Sequence, residues 1–355
     1  MANNIFDYMF WRGDLSFSER EFNDVDGVIL ARLSYLPFEL IMNQNSIKEI
    51  TIAEMAKKLI AYPNIENLVI QKEDIQFLNE LLNSRRFNSM KLFAYVNKID
   101  EKTQTQFSAI TIKINENELY ISFRGTDNTL IGWKEDFNMG FVFPVPAQEL
   151  AVDYIEKIAS RHSENMLVGG HSKGGNLAVY SAAFCSEAVQ NRIEIVYNFD
   201  GPGFLKKEFD SLKYRELLPK LVNIIPTGSV VGSLLFNKNY TVVESCELAF
   251  NEHYPTTWGV FGEFFLEGTL SSVSKHLNES TTIGMDNLEN EKVKEAVEMI
   301  LKNIEKKYDE EFEFNINDVK NLLKNRDNID PEVAKYLTTM LPKMFFAVTG
   351  KNMND

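Results

Sequence analysis

Cysteine and histidine are scarce in this 355-residue sequence, which contains only two cysteines and four histidines. Two cysteines allow one disulfide at most, and a chain of this length needs none to build a core. The N-terminus also lacks a basic start followed by a continuous apolar run, so we expect no secretory signal and a cytoplasmic location. No window approaches the roughly 18 consecutive apolar residues of a transmembrane helix, so we expect no membrane span.

Basic residues are outnumbered by acidic ones, 37 against 51, which gives a formal net charge of -14. Nucleic acids and anionic lipid surfaces are bound mainly through clustered lysine and arginine. The charge therefore argues against a nucleic-acid partner and against electrostatic docking on anionic membranes. No pattern in the sequence indicates a metal or a cofactor, and the oligomeric state is left open.

The apolar pattern divides the chain into three parts. Residues 1–90 are predicted to be a helical segment packed on the core, residues 91–286 alternate between strand and helix patterns, and residues 287–355 return to helical spacing. Strands that alternate with helices predict an α/β fold, with a mostly parallel central sheet and helices on both faces. In such sheets the functional crevice lies beyond the carboxyl ends of the strands.

Residues 166–180 (MLVGGHSKGGNLAVY) are the most informative stretch of the sequence. An apolar strand, a glycine-rich turn that holds Ser172, and an apolar-periodic helix follow one another, which predicts a nucleophile elbow. Gly170 and Gly174 suit the close passage of strand and helix in such a turn. A structural glycine turn without chemistry is the competing interpretation, because bare G-x-S-x-G patterns arise by chance in roughly one chain in ten of this length.

A nucleophilic serine needs a base, which must follow Ser172 if the order is serine, acid, histidine. Only His253 and His276 follow it. His253 lies in a loop directly after the last predicted strand, and we favour it as the base. His276 lies in a polar stretch that is typical of a surface helix.

Asp200 is the candidate acid because it directly follows a predicted strand over residues 193–199. The alternative is a turn cap ahead of the Gly-Pro-Gly sequence, a role that aspartate often takes. Both interpretations stay open. If Asp200 is not the acid, the next candidates are Glu244, Glu247 and Glu252, or a serine-histidine dyad.

The oxyanion of an acyl-transfer reaction needs two donors near the serine. The backbone amide of Lys173, which follows the nucleophile, supplies the first donor in a nucleophile elbow. A second donor should come from an earlier strand end, and residues 122–126 (SFRGT) end a strand in this way. The amide and the hydroxyl of Thr126 are therefore candidates, and a purely structural turn is the alternative.

Two of these motifs carry a resemblance to a known family. Residues 122–126, followed by Trp133 and residues 136–137 (DF), resemble the F-R-G-T/S…D-W…D segment of class 3 lipases of the α/β-hydrolase superfamily. Residues 170–175 (GHSKGG) resemble the G-H-S-x-G-G elbow of the same lipases. The whole chain, including Tyr8, residues 11–14 (WRGD) and Asp26, is similar to an uncharacterised family of bacterial lipase-like hydrolases.

The resemblance covers residues 90–258 best and implies an α/β-hydrolase fold. It also implies Ser172 as nucleophile, His253 as base, and Thr126 and Lys173 around the oxyanion. One departure concerns the acid. Asp200 directly follows one predicted strand, whereas class 3 lipases have their acid after the next strand along the chain. At the corresponding place this sequence contains Thr227, Gly228 and Ser229 and lacks a carboxylate.

The combined prediction is a serine hydrolase that acts on a small carboxylic ester or a lipid. A non-catalytic ligand-binding or interaction protein on the same fold is the alternative from another functional class, since a fold does not fix a function. A thioesterase or a peptidase with the same nucleophile is also open, because the sequence does not separate ester, thioester and amide substrates.

Overall fold

The computed structural model of the protein describes residues 3–42, 49–71, 73–126, 132, 135–136, 138–140, 142–276 and 278. The C-terminal helical segment predicted over residues 287–355 lies outside the described residues, as do Trp133 and Phe137 of the lipase-like motif. Within the described ranges, no helix combines the length and the apolar composition that a bilayer crossing needs.

An eight-stranded sheet lies at the centre of the fold, with its strands in the same order in space as along the chain. The strands are β1 (Ile50–Thr51), β2 (Lys91–Asp100), β3 (Thr105–Lys113), β4 (Glu118–Phe123), β5 (Asn165–His171), β6 (Ile193–Phe199), β7 (Leu221–Pro226) and β8 (Thr241–Val243). Strands β1 to β4 pair antiparallel and β4 to β8 pair parallel. The parallel part brings the carboxyl ends of β4 to β8 to one edge.

Helices precede the sheet and alternate with its parallel strands. They are α1 (Ile5–Arg12), α2 (Asp24–Leu33), α3 (Ile52–Ile60), α4 (Asp74–Asn83), α5 (Pro146–Ala159), α6 (Lys173–Phe184), α7 (Glu187–Gln190), α8 (Lys206–Phe209) and α9 (Leu212–Leu217), and a hairpin of β9 (Val260–Phe261) and β10 (Phe264–Phe265) follows β8. Capping boxes fix the starts of α1, α2 and α3. Strand β1 interrupts the N-terminal part that we expected to be helical, because Ile50 and Thr51 pair with the start of β2.

Side chains of the parallel strands alternate between two hydrophobic cores, one on each face of the sheet. In β4, Leu119 and Ile121 pack in the core that contains residues of α5 and α6, whereas Tyr120 packs in the core that contains residues of α1 to α4. Successive residues of a strand point to opposite faces, so helices cover both sides. The predicted α/β class with a mostly parallel sheet is therefore confirmed.

A buried ion pair ties the N-terminal helices together. Arg86 donates to both carboxylate oxygens of Asp26, at 2.7 and 2.5 Å, and neither side chain is exposed. The same carboxylate accepts from the hydroxyl of Tyr8 at 2.8 Å and from the amide of Asn23 at 3.0 Å. Tyr8 and Asp26, which belong to the lipase-like resemblance, therefore serve to hold α1 against α2.

Loss of this pair should be costly. We expect Arg86→Met to lower the free energy of unfolding by about 3–5 kcal/mol, because it leaves the Asp26 carboxylate buried without its counter-charge. Urea denaturation measures the change. Arg85→Met is the matched control, since Arg85 is 65% exposed and lies 3.4 Å from an exposed Glu19, so its unfolding curve should stay close to that of the wild type. Equal losses in both variants would contradict the role of the buried pair.

Candidate active site

Ser172 lies at the sharp junction of β5 and α6, with φ 58° and ψ -133°. A non-glycine residue in this conformation is strained and is held by its surroundings. A Cβ atom at Gly170 would overlap the backbone of Gly174, and one at Gly174 would overlap the carbonyl oxygen of Phe123. The predicted strand, turn and helix around Ser172 are confirmed, and together with the sheet topology they form the α/β-hydrolase fold.

Lys173 is the first residue of α6, so its backbone amide belongs to the helix N-terminus beside Ser172. Its side chain is buried and takes a structural role. The ammonium donates to the carbonyl oxygen of Gln106 at 2.8 Å and to the Glu135 carboxylate at 3.0 Å. That carboxylate also accepts from the amides of Gln106 at 3.0 Å and Ala147 at 2.9 Å. The Lys173–Glu135 pair thus fastens the elbow to β3 and to the start of α5.

His253 and Asp200 are in direct contact at the edge where the parallel strands end. The Nδ1 atom of His253 lies 2.6 Å from Oδ2 of Asp200, and both residues are buried. A carboxylate can only accept, so Nδ1 carries a proton and Nε2 is the basic nitrogen of the neutral ring. The other Asp200 oxygen accepts from the Ser229 hydroxyl and from the Gly232 amide at 3.1 Å.

The turn after β6 is capped by Asn198. Its side-chain oxygen accepts from the backbone amide of Gly201 at 3.0 Å. The Asp200 carboxylate instead bonds to His253 and to the loop after β7. That loop is where class 3 lipases have their acid, and here it supplies two donors to a carboxylate on the preceding strand.

The other candidate carboxylates lie elsewhere. Glu244 and Glu247 are exposed, and the Glu252 carboxylate accepts from the amide of Gly228 at 2.6 Å. His276 is exposed on a short helical turn and donates from Nδ1 to the carbonyl oxygen of Ser272, at 2.7 Å. The histidine and the carboxylate that are in contact are therefore His253 and Asp200, the pair that the sequence favoured.

Thr126 follows β4 at the same edge. A Cβ atom at the preceding Gly125 would lie 3.1 Å from Cβ of Ser172, so this turn rests directly against the elbow. The Thr126 hydroxyl donates to the carboxylate of Asp136 at 2.5 Å. Since a hydroxyl has one proton to donate, the backbone amide of Thr126 is the donor that remains for an oxyanion.

His171 and Tyr35 complete the site, and the sequence analysis assigned a role to neither. The Nε2 atom of His171 lies 2.7 Å from the carbonyl oxygen of His253, and the two rings are 4.4 Å apart. Its Nδ1 atom lies 3.0 Å from the hydroxyl of Tyr35. Burial, together with the neighbouring His253, holds the pKa of His171 well below its ordinary value, so its ring is neutral.

Among the described residues, no three histidine, cysteine, aspartate or glutamate side chains are grouped so that they could hold a metal ion. The polar groups at this edge are instead a serine, histidines, a carboxylate and backbone amides. These groups can supply a nucleophile, a base and charge stabilisation.

Solved structures that resemble the chain include three lipases. A fungal lipase in complex with an inhibitor is 14% identical, with 56% of this chain and 82% of that chain covered and a TM-score of 0.34. The Lip2 lipase from Yarrowia lipolytica is 13% identical, with 55% and 78% covered and a TM-score of 0.32. The M37 lipase is 13% identical, with 84% and 98% covered and a TM-score of 0.33.

No curated protein matches the sequence significantly. A family model described as Mbeg1-like matches residues 81–302, which is more than half of the chain. The matched range contains β2 to β8, the elbow and both partners of the contact between His253 and Asp200. The chain therefore belongs to the Mbeg1-like family.

Proposed function

We propose that this chain is a serine hydrolase that cleaves carboxylic esters, with Ser172 as nucleophile, His253 as base and Asp200 as acid. The observation that carries the proposal is the 2.6 Å contact between His253 Nδ1 and the buried Asp200 carboxylate, combined with a strained serine whose amide bonds to Phe199, the residue before Asp200. This contact puts the proton on Nδ1, as a base acting through Nε2 requires.

In the proposed reaction the Ser172 hydroxyl attacks the ester carbonyl while Nε2 of His253 takes its proton. The buried Asp200 carboxylate stabilises the imidazolium that forms. The backbone amides of Lys173 and Thr126 stabilise the negative charge on the carbonyl oxygen. His253 then gives the proton to the leaving alkoxide, and a water molecule activated by the same histidine releases the acid from Ser172.

The substrate class in this proposal is a small ester or a lipid, which rests on the class 3 lipase-like motifs of the sequence. The same groups would serve a thioester or an amide, so a panel of ester, thioester and amide substrates with equal acyl chains decides among them. A non-catalytic binding protein would act on none of these substrates. The cytoplasmic location stays a prediction of the sequence.

The nucleophile is tested by Ser172→Ala. We expect the wild type to hydrolyse short p-nitrophenyl esters and to be labelled covalently by a fluorophosphonate, and the variant to lose labelling and at least about 10³-fold in turnover. Ser160→Ala, at an exposed serine after α5, is the control and should behave as the wild type. An unlabelled wild type, or unchanged turnover in Ser172→Ala, would refute the proposed function.

The acid is tested by Asp200→Asn. The native φ of 50° suits asparagine as well as aspartate, so the variant keeps the turn, while the negative charge is lost and one acceptor oxygen is replaced by an amide that donates. We expect turnover to fall about 10⁴-fold while the melting temperature changes little. Glu244→Gln removes an exposed carboxylate after β8 and should leave turnover unchanged. Near-normal turnover in Asp200→Asn would remove aspartate from the mechanism and leave a serine-histidine dyad.

The second oxyanion donor is tested by Thr126→Val, which keeps the shape and the backbone amide but removes the hydroxyl. Because the hydroxyl proton is bound to Asp136, we expect turnover to fall by no more than about tenfold, whereas loss of a true oxyanion donor costs about 10²–10³. Steady-state kinetics on the same ester measures the difference. A loss in the larger range would assign the hydroxyl, rather than the amide, to the oxyanion.

A further inference from the structure

Tyr35 is held rigidly in a part of the chain that the family match does not cover. It follows α2 by two residues and is 6% exposed. The guanidinium of Arg32 lies 5.4 Å from the centre of its ring, and Arg32 is fixed in turn by a buried ion pair with Asp74. A tyrosine packed in this way has little freedom to move its hydroxyl.

The hydroxyl of Tyr35 contacts two loops of the candidate site at once. It lies 3.0 Å from Nδ1 of His171 and 3.2 Å from the carbonyl oxygen of the same residue, and the turn at Gly125 packs directly against it. A Cβ atom at position 125 would overlap the hydroxyl, so glycine is what lets the turn after β4 reach it. Burial raises the pKa of Tyr35, which keeps the phenol protonated and able to donate.

The donors and acceptors in this cluster can be assigned in one order. The carbonyl oxygen of His253 only accepts, so Nε2 of His171 carries the proton of that bond. The neutral ring then presents Nδ1 as an acceptor, so the single proton of the Tyr35 hydroxyl is shared between Nδ1 and the more distant carbonyl oxygen of His171. The hydrogen bonds therefore run from Tyr35 through His171 to the main chain of His253, and the turn at Gly125 packs against the Tyr35 hydroxyl.

Three residues of this cluster lie on or beside a group that the proposed reaction uses. Gly125 precedes Thr126, His171 precedes Ser172, and the last acceptor is the carbonyl oxygen of His253. The 4.4 Å separation of the two histidine rings leaves the base in contact with His171 as well. The spacing of the oxyanion donor, the nucleophile and the base is thus set through one tyrosine hydroxyl.

We propose that Tyr35 and His171 are positioning residues that hold His253 in register with Ser172 and with the Thr126 amide. The proposal rests on the proposed function. Neither residue exchanges a proton with the substrate in this scheme, and both act through the backbone of the loops they join. The helices before the sheet consequently contribute to the geometry of the site as well as to the core.

The kinetic test uses Tyr35→Phe, which removes only the hydroxyl. A misplacement of about 1 Å at a reacting group can cost about 10²-fold in rate, so we expect kcat to fall about 10–100-fold with KM within about twofold. Tyr154→Phe is the matched control, because it also removes a buried hydroxyl with two partners, Thr111 at 2.8 Å and Ala94 at 3.0 Å, on the opposite core. It should lower the melting temperature similarly and leave kcat unchanged.

His171 gives a graded comparison in the same assay. Glutamine can still donate to the carbonyl oxygen of His253, whereas leucine cannot. We therefore expect His171→Gln to keep more of the wild-type kcat than His171→Leu at similar KM. A purely structural role would instead make kcat follow the loss in melting temperature across Tyr35→Phe, Tyr154→Phe and the two His171 variants.

A spectroscopic arm separates this proposal from the proposed function. The chain has only four histidines, so imidazole resonances can be assigned by histidine-labelled NMR. We expect His171 to stay neutral with its proton on Nε2, and Tyr35→Phe to shift the His253 resonances while Tyr154→Phe does not. Unchanged His253 resonances in Tyr35→Phe would overturn the positioning role, whatever the kinetics show. A wild type without esterase activity would refute the proposed hydrolase function, and the NMR comparison alone would then test the positioning role.

Discussion

The candidate site depends on one buried carboxylate that must be compensated where the parallel strands end. Asp200 has no exposed surface, and an uncompensated charge there would cost several kcal/mol. Its partners come from two different loops, Ser229 and Gly232 after β7 and His253 after β8. Satisfying this single group therefore draws the ends of three neighbouring strands to one point.

Close backbone contact brings Ser172 to the same edge of the sheet. The elbow is compact because glycine stands at its closest backbone contacts, Gly170 against Gly174 and Gly174 against Phe123, and the amide of Ser172 donates to the carbonyl oxygen of Phe199 at 2.9 Å. The strain at Ser172 is thus held by main-chain packing and by a bond to the residue before Asp200. The positions of Ser172 and Asp200 are consequences of the same junction between β5 and β6.

Sequence patterns were sufficient for the features that are local. The strand, turn and helix around Ser172 and the strand over residues 193–199 depend on spacing within a few residues, and the structure confirms them. The side chain of Asp200 could be a cap or an acid by local rules alone. Its contact with His253 joins residues 53 positions apart, and neither this contact nor the turn bond made by Asn198 could be predicted from the local pattern.

Other features could not be read from the sequence because their partners are remote. Tyr35 and His171 are separated by 136 positions, and Lys173 and Glu135 by 38. Lys173 was chosen for its backbone amide, but its side chain forms a buried ion pair for which no spacing rule exists. The reason for glycine at position 125 could not be predicted from the sequence either. Only the folded structure shows that the hydroxyl of Tyr35 occupies the space that a Cβ atom at this position would need.

Buried ion pairs join several elements of the fold, two of them involving the N-terminal helix α2. Arg86 with Asp26 joins α2 to the segment before β2, Arg32 with Asp74 joins α2 to α4, and Lys173 with Glu135 fastens α6 to β3 and α5. Such pairs add little net stability compared with apolar packing, but they fit only one arrangement of their partners. Arg32 also packs against the ring of Tyr35, and the Tyr35 hydroxyl contacts the turn that carries Thr126. The position of α2 therefore affects the position of this turn. The N-terminal helices therefore influence the candidate site by fixing the relative positions of the elements around it. The physical basis is a small number of buried ion pairs, which are satisfied in only one arrangement of these elements.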